Sequence, residues 1–207
     1  MDPAIFITAF ATLFVIIDPI GLAPLFVALT QGMSAQERRA IAVRACIVGF
    51  GILAAFGLVG EALLGFVGIS MPAFRIAGGA LLFLTALDML FERRQERRDD
   101  QAVDRPDPSV FPLAVPLIAG PGAIATMILL TGEAEGDMLR YGAVFAVMAA
   151  VVLISLIFFL AGGVIERLLG RTGINIVTRL LGMLLAALSV QFILTGLTES
   201  GFASGVL

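Results

Sequence analysis

The chain of 207 residues has no histidine, a single cysteine and few charges, which make up 14% of the total. Without histidine it cannot hold a histidine-ligated haem or zinc, or run a histidine proton relay. Cys46 has no partner for an internal disulfide, and its apolar surroundings make it a small packing residue. Lysine is missing as well, so all 13 basic residues are arginine. So little polar sequence leaves no room for a soluble catalytic domain, and no nucleophile–base pair stands out. An enzyme is not expected.

What the chain does have is apolar length. Hydrophobic residues make up 59%, and the mean hydropathy is +1.05, far above a soluble domain. Several runs reach the roughly 20 residues that cross a bilayer as a helix. Only Gln31 to Arg44 and Glu92 to Pro108 are clearly polar. The pattern predicts an all-α polytopic membrane protein with six spans, over 4–29, 42–66, 71–91, 111–131, 140–165 and 174–198. The first apolar segment follows no basic region, so it is expected to be retained rather than cleaved as a signal peptide.

Arginine placement sets the orientation. Arg38, Arg39, Arg44, Arg93, Arg94, Arg97, Arg98, Arg105, Arg167 and Arg171 follow spans one, three and five. The other side has Arg140 amid the acidic "GEAEGD". The positive-inside rule therefore places the odd-numbered loops in the cytoplasm and both termini outside.

The two halves resemble each other. "LLGFVGISMPAFRIAGGALL" (63–82) lines up with "LLGRTGINIVTRLLGMLL" (168–185) after a two-residue adjustment, matching Arg75 with Arg179 and Gly78 with Gly182. In the first spans, "DPIG" (18–21) corresponds to "GPG" (120–122), each ahead of an apolar run ending at a threonine, Thr30 or Thr131. Residues 1–91 form the first repeat, 92–110 a polar linker and 111–207 the second. Three spans per half is odd, so the second repeat must be inverted. Secondary transporters use this arrangement, with discontinuous helices meeting near the midplane.

The breakers sit where the first and fourth spans should cross the membrane centre. Asp-Pro starts helices: aspartate caps free N–H groups, and proline at the first position lacks an N–H that would go unused. Gly120-Pro121 reads the same way with a weaker cap. Each of these spans is expected to be two half-helices, with backbone broken where it is protein-buried or lines a wet cavity. Helix N-termini attract anions, so two facing ends can hold a carboxylate. Asp18 costs about 2.5–3.5 kcal/mol at a membrane centre. It either only caps its own half-helix or also binds an ammonium group, a sodium ion or a proton.

These features combine into a candidate zwitterion site: ammonium toward Asp18, carboxylate toward the amides after Pro121. Its expected members are Asp18, Pro19, Gly21, Pro24, Gly120, Pro121, Gly122 and Thr126, with glycines that admit a small solute close to the backbone. Arg75 and Arg179 either pair charges and latch gates or snorkel to opposite interfaces. Gly78-Gly79 and Gly162-Gly163 read as close-packing points, and Thr126, Ser155 and Ser189 as interhelical hydrogen bonders.

The stretches "IDPIGLAPLF", "RIAGGALLFLTALDML" and "PLIAGPGAIATMILL" resemble those of the MarC/SnatA family of integral membrane proteins, and the likeness runs over essentially the whole chain. The resemblance implies six inner-membrane spans, kinship with LysE-type transporters and, as for some members, transport of small neutral amino acids such as glycine and alanine. The family's link to antibiotic resistance does not make a drug its substrate. Leu22 stands where the resemblance leads one to expect asparagine, so specificity is expected to differ if that asparagine binds.

The expectation is a secondary transporter of small neutral amino acids in the bacterial inner membrane. It has no cofactor beyond a coupling proton or sodium ion, and no nucleic-acid partner. The bilayer and a small zwitterion are its partners, and a homo-oligomer is compatible with the sequence. The alternative is a passive channel or exporter of another small solute.

Overall fold

The computed structural model describes residues 3–91, 107–134 and 136–202. The expected linker lies mostly on 92–106, outside the described residues, as do Arg93, Arg94, Arg97, Arg98 and Arg105. Among the described residues there is no strand. The helices are α1 (Pro3–Ile17), α2 (Pro19–Leu29), α3 (Ala35–Val67), α4 (Met71–Leu90), α5 (Pro121–Glu133), α6 (Met138–Leu160) and α7 (Gly162–Glu199), with an irregular segment at Ser109–Ile118 before α5.

Local chemistry sets most of the boundaries. The Ser34 hydroxyl accepts from the Glu37 N–H while Glu37 Oε2 accepts from the Ser34 N–H, a reciprocal cap that starts α3. The polar stretch 31–44 is therefore helical from Ala35, seven residues ahead of the expected span. Gly68, at φ 79°, closes α3, Ser70 caps α4 and Asp137 caps α6 by accepting from Leu139 and Arg140. The loop expected between spans five and six is instead helical, interrupted only at Gly170 (φ 61°, ψ 172°), a conformation that glycine adopts without steric cost.

Five runs are long and apolar enough to cross a membrane: Phe6–Leu29, Ala35–Val67, Met71–Leu90, Met138–Leu160 and Thr172–Glu199. A sixth exists if 109–118 and 121–133, which meet at 53°, form one bent span. Apolar side chains such as Ile47, Leu58, Leu84, Leu153, Ile157, Leu180 and Leu184 are exposed. On a membrane protein these form the lipid-facing surface.

Lipid is as apolar as leucine, so helices in it associate through close packing of small residues. The most extensive pairing here is α4 with α7. A methyl on Gly79 would stand 2.8 Å from the Ser189 carbonyl oxygen, and one on Gly196 2.9 Å from that of Pro72. Gly182 meets Met89 and Ala86 in the same way, so α4 and α7 run antiparallel. Gly49 and Gly57 of α3 admit Ile118 and Met127, and Phe26 stacks on Phe159 with centroids 4.8 Å apart. Some of the remaining neighbours repeat under exchange of halves. As α2 packs on α6 and α7, α5 packs on α3 and α4; as α1 lies on α6, the 109–118 segment lies on α3.

Candidate functional site

The first break is confined to one residue. Asp18 is the only non-glycine with positive φ among the described residues (φ 56°, ψ 63°), and aspartate is among the few side chains that tolerate this region. Its Oδ1 accepts from the Gly21 N–H at 3.0 Å, and Pro19 opens α2. The helical ladder otherwise continues, with Asp18 N–H donating to Phe14 O (2.9 Å) and Leu22 N–H to Asp18 O (3.0 Å). The first span is thus two half-helices, α1 and α2, as expected, but with so small a bend at Asp18 that Phe6–Leu29 still forms one crossing. The reason is that the left-handed residue removes few ladder bonds and its carboxylate replaces one. Pro24, inside α2, cannot supply a donor to the Ile20 carbonyl.

The second break is deeper. Gly120 caps α5 at φ −80°, ψ 166° with no side-chain hydrogen bond, and Pro121 is the first helical residue. A methyl on Gly120 would stand 2.5 Å from the Pro116 carbonyl oxygen, so the turn requires glycine. The first half of this span is not the expected half-helix. Phe111 and Val115 are extended (φ −127° and −126°), the bonds to Pro112 and Pro116 are cis, and wide turns form from Leu113 N–H to Pro108 O and from Ala119 N–H to Ala114 O. Two prolines four apart each remove a donor and disfavour helical backbone in the preceding residue.

The two breaks meet inside the protein. A methyl on Gly122 would stand 2.8 Å from Ile16 Cδ1 and 3.4 Å from Leu82 Cδ2, placing the first turn of α5 beside the residue two before Asp18. Asp18 and Thr126 are each 0% exposed, and Pro19, Gly21 and Gly122 are buried. Pro24 and Gly120 are half-buried, and Pro121 is exposed, so Pro121 starts the helix without joining the buried cluster. Thr126, one turn beyond Gly122, has a hydroxyl with no hydrogen-bond partner. The α2 N-terminus is answered by a carboxylate, whereas that of α5 has no side-chain cap. The partial positive charge at that end is therefore not met by a capping side chain of its own.

The two arginines matched in the repeat differ. Arg75 is 5% exposed; one terminal nitrogen reaches Glu199 Oε1 at 2.6 Å and the other Glu133 Oε1 at 3.1 Å. Arg179 is exposed. Sequence reasoning missed both glutamates. The available signal was topological, since each ends a helix on the face where α4 begins. At the opposite end of α3, Arg44 pairs with Asp107.

The sequence profile of the MarC family of integral membrane proteins matches residues 4–200. The chain belongs to the MarC family. A UPF0056 membrane protein of Archaeoglobus fulgidus is 41% identical over 94% of this chain and 92% of its own length. The UPF0056 membrane protein YvbG of Bacillus subtilis is 39% identical over 91% and 92%, and a UPF0056 membrane protein of Aquifex aeolicus 39% over 93% and 92%. No solved structure matches. As a MarC-family protein the chain is a multi-pass integral membrane protein whose exposed apolar surface contacts the bilayer.

Proposed function

We propose that this MarC-family protein is a secondary transporter of small neutral amino acids, glycine- or alanine-like zwitterions, coupled to protons or sodium. It works in the plasma membrane, with both termini on the outer side. The observation that carries this reading is the contact between two interrupted spans: the uncapped start of α5 packs at Gly122 against Ile16, next to the buried Asp18. In the proposed site the ammonium group lies toward Asp18 and the carboxylate accepts from the free amides of Gly122 and Ala123. Thr126 supplies the hydroxyl that otherwise lacks a partner. The close packing at Gly120 and Gly122 favours a substrate whose side chain is a hydrogen or a methyl.

Alternating access requires two related halves, and here the reading is a six-span inverted repeat. Several neighbour pairs exchange under swap of the halves, and the third helices, α4 and α7, pair antiparallel through glycines. These are the expected marks of pseudo-symmetry with its axis in the membrane plane. The breaks have no exposure at Asp18 or Thr126, corresponding to an occluded stage of the cycle.

The test is uptake of labelled glycine and alanine into proteoliposomes under imposed proton or sodium gradients. Accumulation that collapses with the gradient, together with counterflow, is the expected outcome. Flux indifferent to the gradients and without counterflow would make the protein a channel, and absence of any amino-acid flux would remove the substrate class.

A further inference from the structure

One buried cation ties three helix ends together on a single face. Arg75 stands in the first turns of α4; Glu133 is the last residue of α5, and Glu199 the last of α7. The guanidinium lies beneath the two carboxylates, each of whose side chains is 43% exposed, so the carboxylates are the part of the cluster that meets water. Hydrogen bonds to charged groups are the strong ones. A guanidinium donates in two directions where an ammonium acts as a point charge. Arg75 Nε, also buried, has no partner.

The location gives this cluster a consequence for transport. From Pro121 to Glu133 α5 has 13 residues, about 20 Å at roughly 1.5 Å per residue. A break near mid-membrane thus places Glu133 at the surface, with Thr126 between. The helix that begins at the proposed binding site ends at the ion cluster. A path from this face to Thr126 that opens along α4 separates α4 from the ends of α5 and α7, and each separation breaks a bond to Arg75. The repeat counterpart Arg179 is exposed, whereas Arg75 is buried.

We propose that Arg75, Glu133 and Glu199 form the outer gate of the transport path, closed in this structure, with the two glutamates as gating residues. The gate rests on the transporter reading for its purpose, but its test does not need a known substrate. Cys46 is the sole cysteine and is buried. In a Cys46→Ala background, Thr126→Cys provides a reporter for a membrane-impermeant maleimide added outside intact cells. Arg75→Gln and, separately, the milder Glu133→Gln/Glu199→Gln pair are expected to raise its labelling rate about tenfold or more, as loss of hydrogen bonds to a charged group implies. Arg75→Lys should fall between. In the protein with its native Cys46, the same gate variants should leave labelling of Cys46 in detergent unchanged. An unaltered reporter rate in both gate variants overturns the proposal. So does an equal rise at Cys46, which would indicate general loosening. A gated reporter, alongside a parent protein with Thr126 intact that moves no amino acid, would support the gate and refute the substrate class.

Discussion

Gly122 faces Ile16 so closely that a methyl group on its α-carbon would stand 2.8 Å from the isoleucine Cδ1. This contact joins the two interruptions of the chain, and it leaves a small residue as the sole fit at 122. Gly122→Ala meets the far end of a flexible side chain, and a slight rotation of Ile16 accommodates it. Gly122→Val also presses toward Leu82, and overpacking of this kind costs about 1–3 kcal/mol. Thermal unfolding in detergent should show a small loss for alanine, a larger one for valine, and partial recovery when Ile16→Ala accompanies valine. If the valine variant melts with the parent, the breaks are not held together here.

The parts of this architecture visible in the sequence are those fixed by local chemistry. Asp18-Pro19 and Gly120-Pro121 start helices whatever surrounds them, because capping and a missing N–H are properties of a few adjacent residues. The spans showed for the same reason: lipid demands unbroken apolar length. Other features were present but overlooked. Ser34 and Glu37 form a capping pair that moves the start of α3 to Ala35. Pro112 and Pro116, four apart, rule out a regular helix before Gly120. The grouping of Arg75 with Glu133 and Glu199 had no local signal. It joins residues 58 or more positions apart and follows from helix packing alone.

Packing of α4 on α7 makes a sharper stability prediction. Gly79 and Gly196 face backbone carbonyls at 2.8 and 2.9 Å, and a carbonyl in a helix cannot rotate away as a side chain can. Gly79→Ala and Gly196→Ala should each lower stability by about 1–3 kcal/mol. Gly142 in α6 has nothing within 4 Å of an added methyl, so Gly142→Ala should be neutral or gain up to about 1 kcal/mol from helix propensity. Melting curves for the three variants separate a packing effect from a general intolerance of substitution.

Cys46 lies in α3 at 5% exposure, and reactivity of a thiol depends on its access and its thiolate fraction. The folded protein should react with maleimide roughly tenfold or more slowly than the same protein unfolded in detergent and denaturant. Rapid labelling of the folded form would mean that α3 separates from its neighbours in solution.

Substitutions at Asp18 distinguish its two roles, because its left-handed backbone, its cap and its charge respond to different replacements. Asparagine keeps the backbone preference and an oxygen for the Gly21 N–H, so Asp18→Asn should insert and melt like the parent. Asp18→Gly removes the cap but suits φ 56°, and is expected to cost only a few tenths of a kcal/mol in capping. Asp18→Ala loses the cap, about 0.5–2 kcal/mol, and puts a Cβ in a region that costs roughly 1–2 kcal/mol; it should be the least stable of the three. Stability should thus rank asparagine, glycine, alanine. Uptake of labelled glycine should be lost in all three, asparagine included. An asparagine variant that transports at the parent's rate would reduce Asp18 to a helix cap and remove its charge from the mechanism.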